Sequence, residues 1–127
     1  MSFWRVIKGF LKFRVFNTTR GTLLGDRIGI ANTSARRKTG LLKHLGLDAG
    51  EGLWIIPCEG IHTFFMKFAI DVIYIDRKKR VRKVVRQLAA WRVSLCLPAH
   101  SVLELRAGTI DETGTQNGDE LEFQALD

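Results

Sequence analysis

A segment of residues 60–76 constrains the fold of this chain more than any other part of the sequence. It contains two apolar stretches, roughly His62–Lys67 and Ile70–Asp76, with the pattern of adjacent buried strands. His62 and Asp71 interrupt these stretches. Burying an imidazole or a carboxylate costs free energy unless the group finds a partner, so both residues need an architectural or a functional explanation. The segment therefore predicts a β-rich core that contains polar groups.

Short strand-like runs continue on both sides of this segment, separated by turn-forming residues. Further strands are predicted at Lys12–Thr18, Asp26–Ala31, Gly52–Pro57, Arg80–Gln87, Trp91–Leu95, Ser101–Arg106 and Asp119–Ala125. A helix is predicted at Ala35–His44 and a helical turn at Gly108–Thr113. Strands and helices do not alternate, which argues against a parallel doubly wound sheet. We therefore predict a mainly β, single-domain fold, a small antiparallel barrel or sandwich with one or two short helices.

A weak internal repeat bears on the same prediction. Residues 50–53 and residues 118–121 both have the order glycine, acid, any residue, leucine, and each follows a predicted helical turn. Glycine is suited to such turns because it tolerates a positive φ angle. The repeat fits a pseudo-symmetric barrel built from two units, although glycine-rich turns also resemble one another by chance.

The net charge of +7 is distributed unevenly along the chain. Residues 1–43 hold ten lysines and arginines against one acid, and residues 77–92 hold eight against none. Seven acids lie between residue 104 and the end. The chain therefore presents a basic surface that attracts phosphates or anionic lipid, unless this surface is a solvated face without a specific partner.

The first 14 residues form a basic, aromatic extension ahead of a domain at residues 15–127. On a helical wheel Phe3, Ile7, Phe10 and Leu11 share one face, which suits weak peripheral contact of residues 3–14 with a membrane. Packing on the domain is the favoured alternative. Cations interrupt the apolar centre that an export signal needs, and no run approaches the roughly 18 apolar residues of a membrane span. We expect a cytoplasmic location.

The candidate pocket consists of four residues, His62, Met66, Asp71 and Glu104. Strand alternation predicts that His62 and Met66 share one face with Phe64 and Phe68. Each polar member also has a structural interpretation, as a satisfied core histidine, an acceptor of backbone N–H groups, or a cross-strand partner of an arginine. Together the histidine and the two carboxylates could instead hold a metal or form a general acid/base pair. No metal-binding motif supports a metal, and none is assigned.

The two cysteines, Cys58 and Cys96, form no CxxC motif and are expected to be reduced thiols. A pairing brought about by the fold remains an alternative. No phosphate-binding loop and no glycine-flanked serine nucleophile occurs in the sequence.

Three arginines, Arg80, Arg82 and Arg86, are the candidate contacts for an anion or a nucleic acid. They lie in the second arm of a predicted hairpin, where alternation directs them to one side and directs Val81 and Val85 to the other. A basic hairpin of this kind can contact a phosphate backbone. No RNP-like or zinc-finger pattern accompanies it, so nucleic-acid binding is a minor alternative.

Several motifs occur together in the central part of the chain. They are Arg37-x-x-Gly40-Leu41-Leu42, Gly50-Glu51-Gly52-Leu53, residues 61–73, Trp91-Arg92-Val93, residues 102–109 and Gly118-Asp119. In this order they resemble the domain-of-unknown-function family 192, a widespread prokaryotic family, from about residue 35 to residue 123. The resemblance implies a compact, mainly antiparallel β domain and brings no catalytic mechanism. Many members carry an export signal, which we do not identify here, and many have proline where this chain has Ala69.

Two function classes follow from these features. The leading prediction is a non-enzymatic module that binds an unknown small ligand or a protein at the candidate pocket. The alternative is a small metal-dependent or acid/base hydrolase that uses His62, Asp71 and Glu104. The sequence assigns no cofactor to either.

Overall fold

The computed structural model describes residues 12–39, 41 and 44–126. Most of the N-terminal extension, including its predicted membrane-contacting helix face, lies outside these residues. The described part contains nine strands and two short helices. In chain order these are β1 Lys12–Asn17, β2 Thr22–Ala31, α1 Ser34–Thr39, β3 Glu51–Ile55, β4 Gly60–His62, β5 Ile70–Ile75, β6 Val81–Leu88, β7 Val93–Leu95, β8 Ser101–Arg106, α2 Thr109–Thr113 and β9 Leu121–Leu126.

Seven strands form one mixed sheet in the order β6-β5-β8-β3-β2-β1-β9, and β4 pairs with β7 in a separate small sheet. The neighbours are antiparallel except for β2 and β3, which run parallel. In the part of the chain that the structure describes, the two edges of the large sheet come together at one end, where Arg80 and Glu120 form an isolated bridge. The predicted mainly β fold with short helices is confirmed. It is sandwich-like, and the large sheet does not close into a barrel.

The core has two parts because β5 and β8 are buried on both faces. One face carries Ile73, Leu103 and Leu105, which pack with Ile110 of α2, and we call this part the Ile110 core. The other face carries Val72, Tyr74 and Val102, which pack with Met66, and we call it the Tyr74 core. A residue on either strand can therefore be buried whichever way it points.

The predicted strand at His62–Lys67 is wrong. β4 ends at His62, and the chain then turns through residues 63–68, with Phe65 in the left-handed region at φ 66°. The predicted common face of His62, Phe64, Met66 and Phe68 is lost for that reason. His62 and Phe64 are exposed, whereas Met66 is buried in the Tyr74 core.

The predicted hairpin of β5 and β6 is present, but its regular alternation is interrupted. Ile75 pairs with Val81 and Tyr74 pairs with Lys83, so Arg82 is the extra residue of a β-bulge. Val81 consequently packs in the Ile110 core and Val85 in the Tyr74 core. The prediction that these two valines share a face is wrong.

The remaining local predictions agree with the structure in outline. α1 begins one residue earlier than the predicted helix and is described only to Thr39. The prediction that it continues to His44 is wrong, because residues 41 and 44 are not helical, and residues 40, 42 and 43 lie outside the described part. Gly50 and Gly118, the matching glycines of the internal repeat, both have positive φ angles, of 88° and 92°.

Candidate functional site

The four residues of the predicted pocket do not lie together. Asp71 pairs with Leu105 and Val72 pairs with Glu104, which places the two carboxylates on opposite faces of the sheet. His62 is exposed at the end of β4, and Met66 is buried in the turn that follows. Among the described residues, no group of three or more His, Cys, Asp or Glu side chains has the arrangement of a metal site.

Asp71 is fully occupied by backbone donors. One carboxylate oxygen accepts a hydrogen bond from the amide of Gln87 at 2.8 Å. The other accepts from the amides of Gly108 at 3.1 Å and Ile110 at 2.8 Å, which lie at the start of α2. The side chain thereby joins β5, β6 and α2, and the structural interpretation of Asp71 accounts for all of its contacts.

The surroundings of Glu104 are apolar, in contrast to the backbone donors around Asp71. Its side chain is 3% exposed and points into the Tyr74 core, between Leu53 of β3 and Val72 of β5. No described residue donates a hydrogen bond to its carboxylate. Burial raises the pKa of Glu104 to about 7, because a charged carboxylate is poorly solvated there. The predicted cross-strand pair with an arginine does not form among the described residues.

Two other titratable groups lie within electrostatic reach of Glu104. Burial raises the pKa of the Cys58 thiol, and the Glu104 carboxylate contributes to the same shift. Burial also raises the pKa of Tyr74 to about 12, and the Tyr74 hydroxyl lies 2.9 Å from the Ser94 hydroxyl. These groups are protonated at neutral pH, so the region around Glu104 holds neutral acids and no thiolate nucleophile.

A cluster of stacked rings lies at the surface next to β4. The rings of His62 and Phe64 stack at a centroid distance of 5.0 Å. Trp91 contacts Phe64 at 5.7 Å and Phe65 at 4.6 Å. Phe65 is 68% exposed and Trp91 55% exposed. The cluster is therefore largely open to solvent although it consists of residues that normally favour a core.

Thr63 fixes the backbone beneath these rings. Its buried hydroxyl donates to the carbonyl of Ala89 at 2.6 Å and accepts from the amide of Arg92 at 2.9 Å. Its carbonyl accepts from the amides of Met66 at 3.1 Å and Trp91 at 3.0 Å. Phe65 and Trp91 are both held at positive φ angles, of 66° and 65°. This conformation is unfavourable for bulky residues and persists only where the surroundings impose it.

The exposed apolar surface continues onto the small sheet. His62 pairs with Val93, and Leu95 lies on the same side of β7, over Gly60. Val93 is 60% exposed and Leu95 59% exposed. We define the aromatic face as the continuous surface formed by His62, Phe64, Phe65, Trp91, Val93 and Leu95. An exposed apolar patch of this kind typically marks an interaction site.

The charges around the aromatic face are positive. The two segments that form it, residues 60–68 and 89–97, contain Lys67 and Arg92 and no acid. Lys83 donates to the carbonyl of Leu95 at 2.7 Å. The nearest acid in sequence is Glu59, which precedes β4. The aromatic face was missed by the sequence analysis because its residues have the composition of a buried strand. The available signal was the density of aromatic residues beside Lys67 and Arg92.

The predicted anion contacts are divided between two places. Arg80 and Arg82 line a cavity of about 430 Å³ at the end of the β5–β6 hairpin, together with Arg77, Lys78 and His100. Arg86 lies outside this cavity, where its Nε donates to Asp111 of α2 at 2.7 Å. The bulge at Arg82 accounts for the division, since alternation along β6 changes there.

Comparison with known proteins places the chain among uncharacterised relatives. The sequence profile of the family DUF192, described as an uncharacterized ACR, matches residues 15–123. A UPF0127 protein of Thermococcus sibiricus is 30% identical over 116 residues, which cover 87% of this chain and 74% of the relative.

Two solved structures are similar in fold. A protein of unknown function from Novosphingobium aromaticivorans has a TM-score of 0.75 at 22% identity, with 87% of this chain and 82% of that chain covered. A Sinorhizobium meliloti protein provisionally described as a transcription regulator has a TM-score of 0.77 at 21% identity, with 89% and 92% covered. At these identities the likeness concerns the fold. No described helix is long and apolar enough to cross a membrane.

Proposed function

The chain belongs to the DUF192 family of uncharacterised proteins, and from this premise we propose that it is a non-enzymatic interaction module that docks through its aromatic face on an anionic membrane surface. One observation carries the proposal. Phe64, Phe65 and Trp91 lie at the surface on two segments that hydrogen bonds of Thr63 join, and Phe65 and Trp91 have positive φ angles. Strain of this kind is common where the backbone positions a functional group.

The chemistry of the face favours lipid as the occupant. Tryptophan favours the interfacial region of a bilayer because its ring is apolar and its indole N–H is polar, and phenylalanine adds apolar area that enters the acyl boundary. Lys67 and Arg92 supply positive charge beside these rings, and anionic headgroups attract such charges. The exposed aliphatic side chains of Val93 and Leu95 extend the apolar area beyond the rings.

Nucleic acid is a weaker candidate for the same face. Single-stranded binding uses aromatic rings whose flat sides are free to stack on bases. The Phe64 ring already contacts the rings of both His62 and Trp91. Aliphatic Val93 and Leu95 offer no stacking surface. The Sinorhizobium meliloti neighbour, provisionally described as a transcription regulator, shares the fold with this chain at 21% identity. This likeness adds no support for nucleic-acid binding.

Vesicle binding tests the proposal. The full-length protein is sedimented with vesicles of phosphatidylglycerol and with vesicles of phosphatidylcholine, and compared with a Phe65→Ser/Trp91→Ser variant. Each ring would bury on the order of 100 Å², which corresponds to about 2 kcal/mol. We therefore expect the double variant to lose at least about tenfold of its partition to the anionic vesicles. Leu23→Ser, at an exposed position on β2, is the matched control and should bind like the unmodified protein.

Three results would contradict the proposal. The unmodified protein could ignore both vesicle types, or the double variant could bind as well as the unmodified protein. A dimer that dissociates in the Phe65→Ser/Trp91→Ser variant, without vesicle binding, would identify a second copy of the chain as the occupant. A thermal melt of each variant establishes that it is folded.

A second candidate is an acid/base enzyme, and Glu104 is the observation that favours it. A carboxyl group with a pKa raised to about 7 is suited to proton transfer near neutral pH. The three-residue site of the sequence analysis is less well supported, because the Asp71 oxygens hold backbone amides on the other face of the sheet. His62 is exposed and stacks on Phe64. Glu104 would therefore have to act with Cys58 or Tyr74.

A further inference from the structure

The cavity at the end of the β5–β6 hairpin has an unusual excess of positive charge. Four of its lining residues are cationic and one is acidic, in a volume of about 430 Å³, and the set comprises Arg77, Lys78, Arg80, Arg82 and Asp76. This volume falls within the range of sites for small molecules. None of the lining residues belongs to the aromatic face.

The single acid of the cavity is engaged in holding the turn. One Asp76 oxygen accepts from the amides of Lys78 at 2.9 Å and Arg80 at 3.0 Å, and the other lies 3.6 Å from Arg82. Asp76 therefore fixes the hairpin backbone that carries the cations. Lys79, the next cation in the turn, is directed away, with its Nζ over the ring of Trp54.

Two of the cations have no acidic partner. Arg80 is 3.6 Å from Glu120, whereas no described carboxylate pairs with Arg77 or Lys78. Like charges that line one cavity repel one another, and an anion bound between them would relieve the repulsion. Arginine is particularly suited to this role because its planar donors match two oxygens of a phosphate group.

His100 also lines the cavity. Its backbone is fixed on both sides, since its amide donates to Ile75 at 2.8 Å and its carbonyl accepts from Cys58 at 2.8 Å. Its Nδ1 atom is buried and has no hydrogen-bond partner among the described residues. A buried polar atom without a partner is costly. Burial lowers the pKa of His100, and the positive charges of Arg77 and Lys79 add to the shift.

From this arrangement we infer that the cavity binds a phosphate-bearing anion, with Arg77 and Lys78 as its principal contacts and Arg80 and Arg82 beside them. The required chemistry is a compact group with two or more negative charges, such as a phosphomonoester or a pyrophosphate. A soluble phosphorylated metabolite and a phosphorylated lipid headgroup share this chemistry. The site is independent of the membrane-docking proposal, because a soluble phosphate would bind it whether or not the aromatic face contacts lipid.

Calorimetric titration of the full-length protein with pyrophosphate tests the inference. We expect saturable binding with one site, and at least about tenfold weaker binding by an Arg77→Gln/Lys78→Gln variant. Both changed side chains are exposed, so the variant should fold normally. Arg86→Gln is the matched control. It removes a cation from the same hairpin, but that cation pairs with Asp111 outside the cavity, and the affinity should change by less than about twofold.

Two further experiments distinguish a soluble phosphate from a lipid headgroup, and the phosphate site from the membrane-docking proposal. Vesicles of phosphatidic acid compete with pyrophosphate if the cavity accepts a lipid headgroup, and fail to compete if it accepts only soluble anions. The Phe65→Ser/Trp91→Ser variant should bind pyrophosphate normally, even if it no longer binds vesicles. Absence of saturable pyrophosphate binding at millimolar concentration would overturn the inference. Equal weakening by Arg86→Gln would also overturn it, since it would indicate attraction by overall charge.

Discussion

Two buried carboxylates on neighbouring strands have opposite environments. Asp71 accepts three backbone hydrogen bonds and ties α2 to the sheet. Glu104, one strand away on the other face, receives none from the described residues, and burial raises its pKa to about 7. The first carboxylate has a backbone donor for each of its oxygens. The second is stabilised in its neutral form, at a cost to the folded protein whenever it ionises.

We predict that stability falls with pH because of Glu104. Below its ordinary pKa of 4.5 the side chain is protonated in both the folded and the unfolded protein. Between that value and about 7, the unfolded chain loses the proton while the folded protein keeps it, which favours unfolding by about 3 kcal/mol in total. Above this range the difference is constant. Glu104→Gln should therefore raise the melting temperature at pH 8 by at least about 5 °C and change it little at pH 4.

Asp71→Asn is the matched comparison, because it makes the same kind of change at the other buried carboxylate. It replaces an acceptor of backbone amides by an amide that also carries donors, so it should lower the melting temperature at both pH values. Thermal melts of the two variants at pH 4 and pH 8 measure both effects. A lower melting temperature for Glu104→Gln at pH 8 would show that the carboxylate is stabilised by contacts absent from the described residues.

At the scale of elements, the turn after β4 and the segment before β7 form one unit. Thr63 connects them through its hydroxyl, its amide and its carbonyl. The two aromatic residues with positive φ angles, Phe65 and Trp91, lie one on each side of this connection. The exposed position of the aromatic rings is thus determined by a buried threonine.

Thr63→Val should therefore loosen the positions of the aromatic rings without changing any residue of the aromatic face. The substitution keeps the shape but leaves the Arg92 amide and the Ala89 carbonyl without their partner, at a cost of about 1–3 kcal/mol. We expect a lower melting temperature, a changed near-ultraviolet dichroism signal, and weaker binding to phosphatidylglycerol vesicles. Thr18→Val, which removes an exposed hydroxyl bonded to Glu120, is the control. Unchanged dichroism and vesicle binding in Thr63→Val would show that the threonine does not position the rings.

The strands that sequence could predict are those with regular alternation or continuous apolar runs. β5 and β8 were predicted within one residue because their apolar residues fall on both faces of each strand and are almost all buried. The segment after His62 has the same composition but forms a turn, since Thr63 bonds to residues far along the chain. Local pattern carries no information about such a contact. The bulge at Arg82 escaped prediction for the same reason, because only the pairing with β5 defines it.

The candidate site was predictable to a similar degree. Glu104 could be identified as a polar residue between leucines, and its burial followed from the strand. Its separation from Asp71 depends on the register of β5 and β8, which sequence did not define. The aromatic face has the hydrophobic composition of a buried strand, and only the density of aromatic residues beside Lys67 and Arg92 separates it from core. Exposure is a property of the assembled fold.

At the scale of the whole molecule, the uneven charge distribution favours an orientation in which the aromatic face points toward an anionic surface. The chain carries a net charge of +7, and residues 77–92, which end beside the face, hold eight cations and no acid. A charged surface of this kind steers the protein toward anionic partners over distances of about a Debye length. Local cations beside the face and the overall charge should contribute separately to membrane binding.

We predict that local charge matters more than net charge. Neutralising the two cations of the face, in Lys67→Gln/Arg92→Gln, should weaken binding to phosphatidylglycerol vesicles by roughly tenfold or more at low salt, since each cation near the surface contributes about 1 kcal/mol. In 0.5 M salt the difference in binding should largely vanish, because the Debye length falls to roughly 4 Å and the attraction between these cations and the headgroups is screened. Arg14→Gln/Arg27→Gln removes the same charge from exposed positions on β1 and β2 and should weaken binding by less than about threefold. Equal losses in the two variants, measured by vesicle sedimentation, would show that net charge alone brings the protein to the membrane and that the aromatic face has no preferred orientation there.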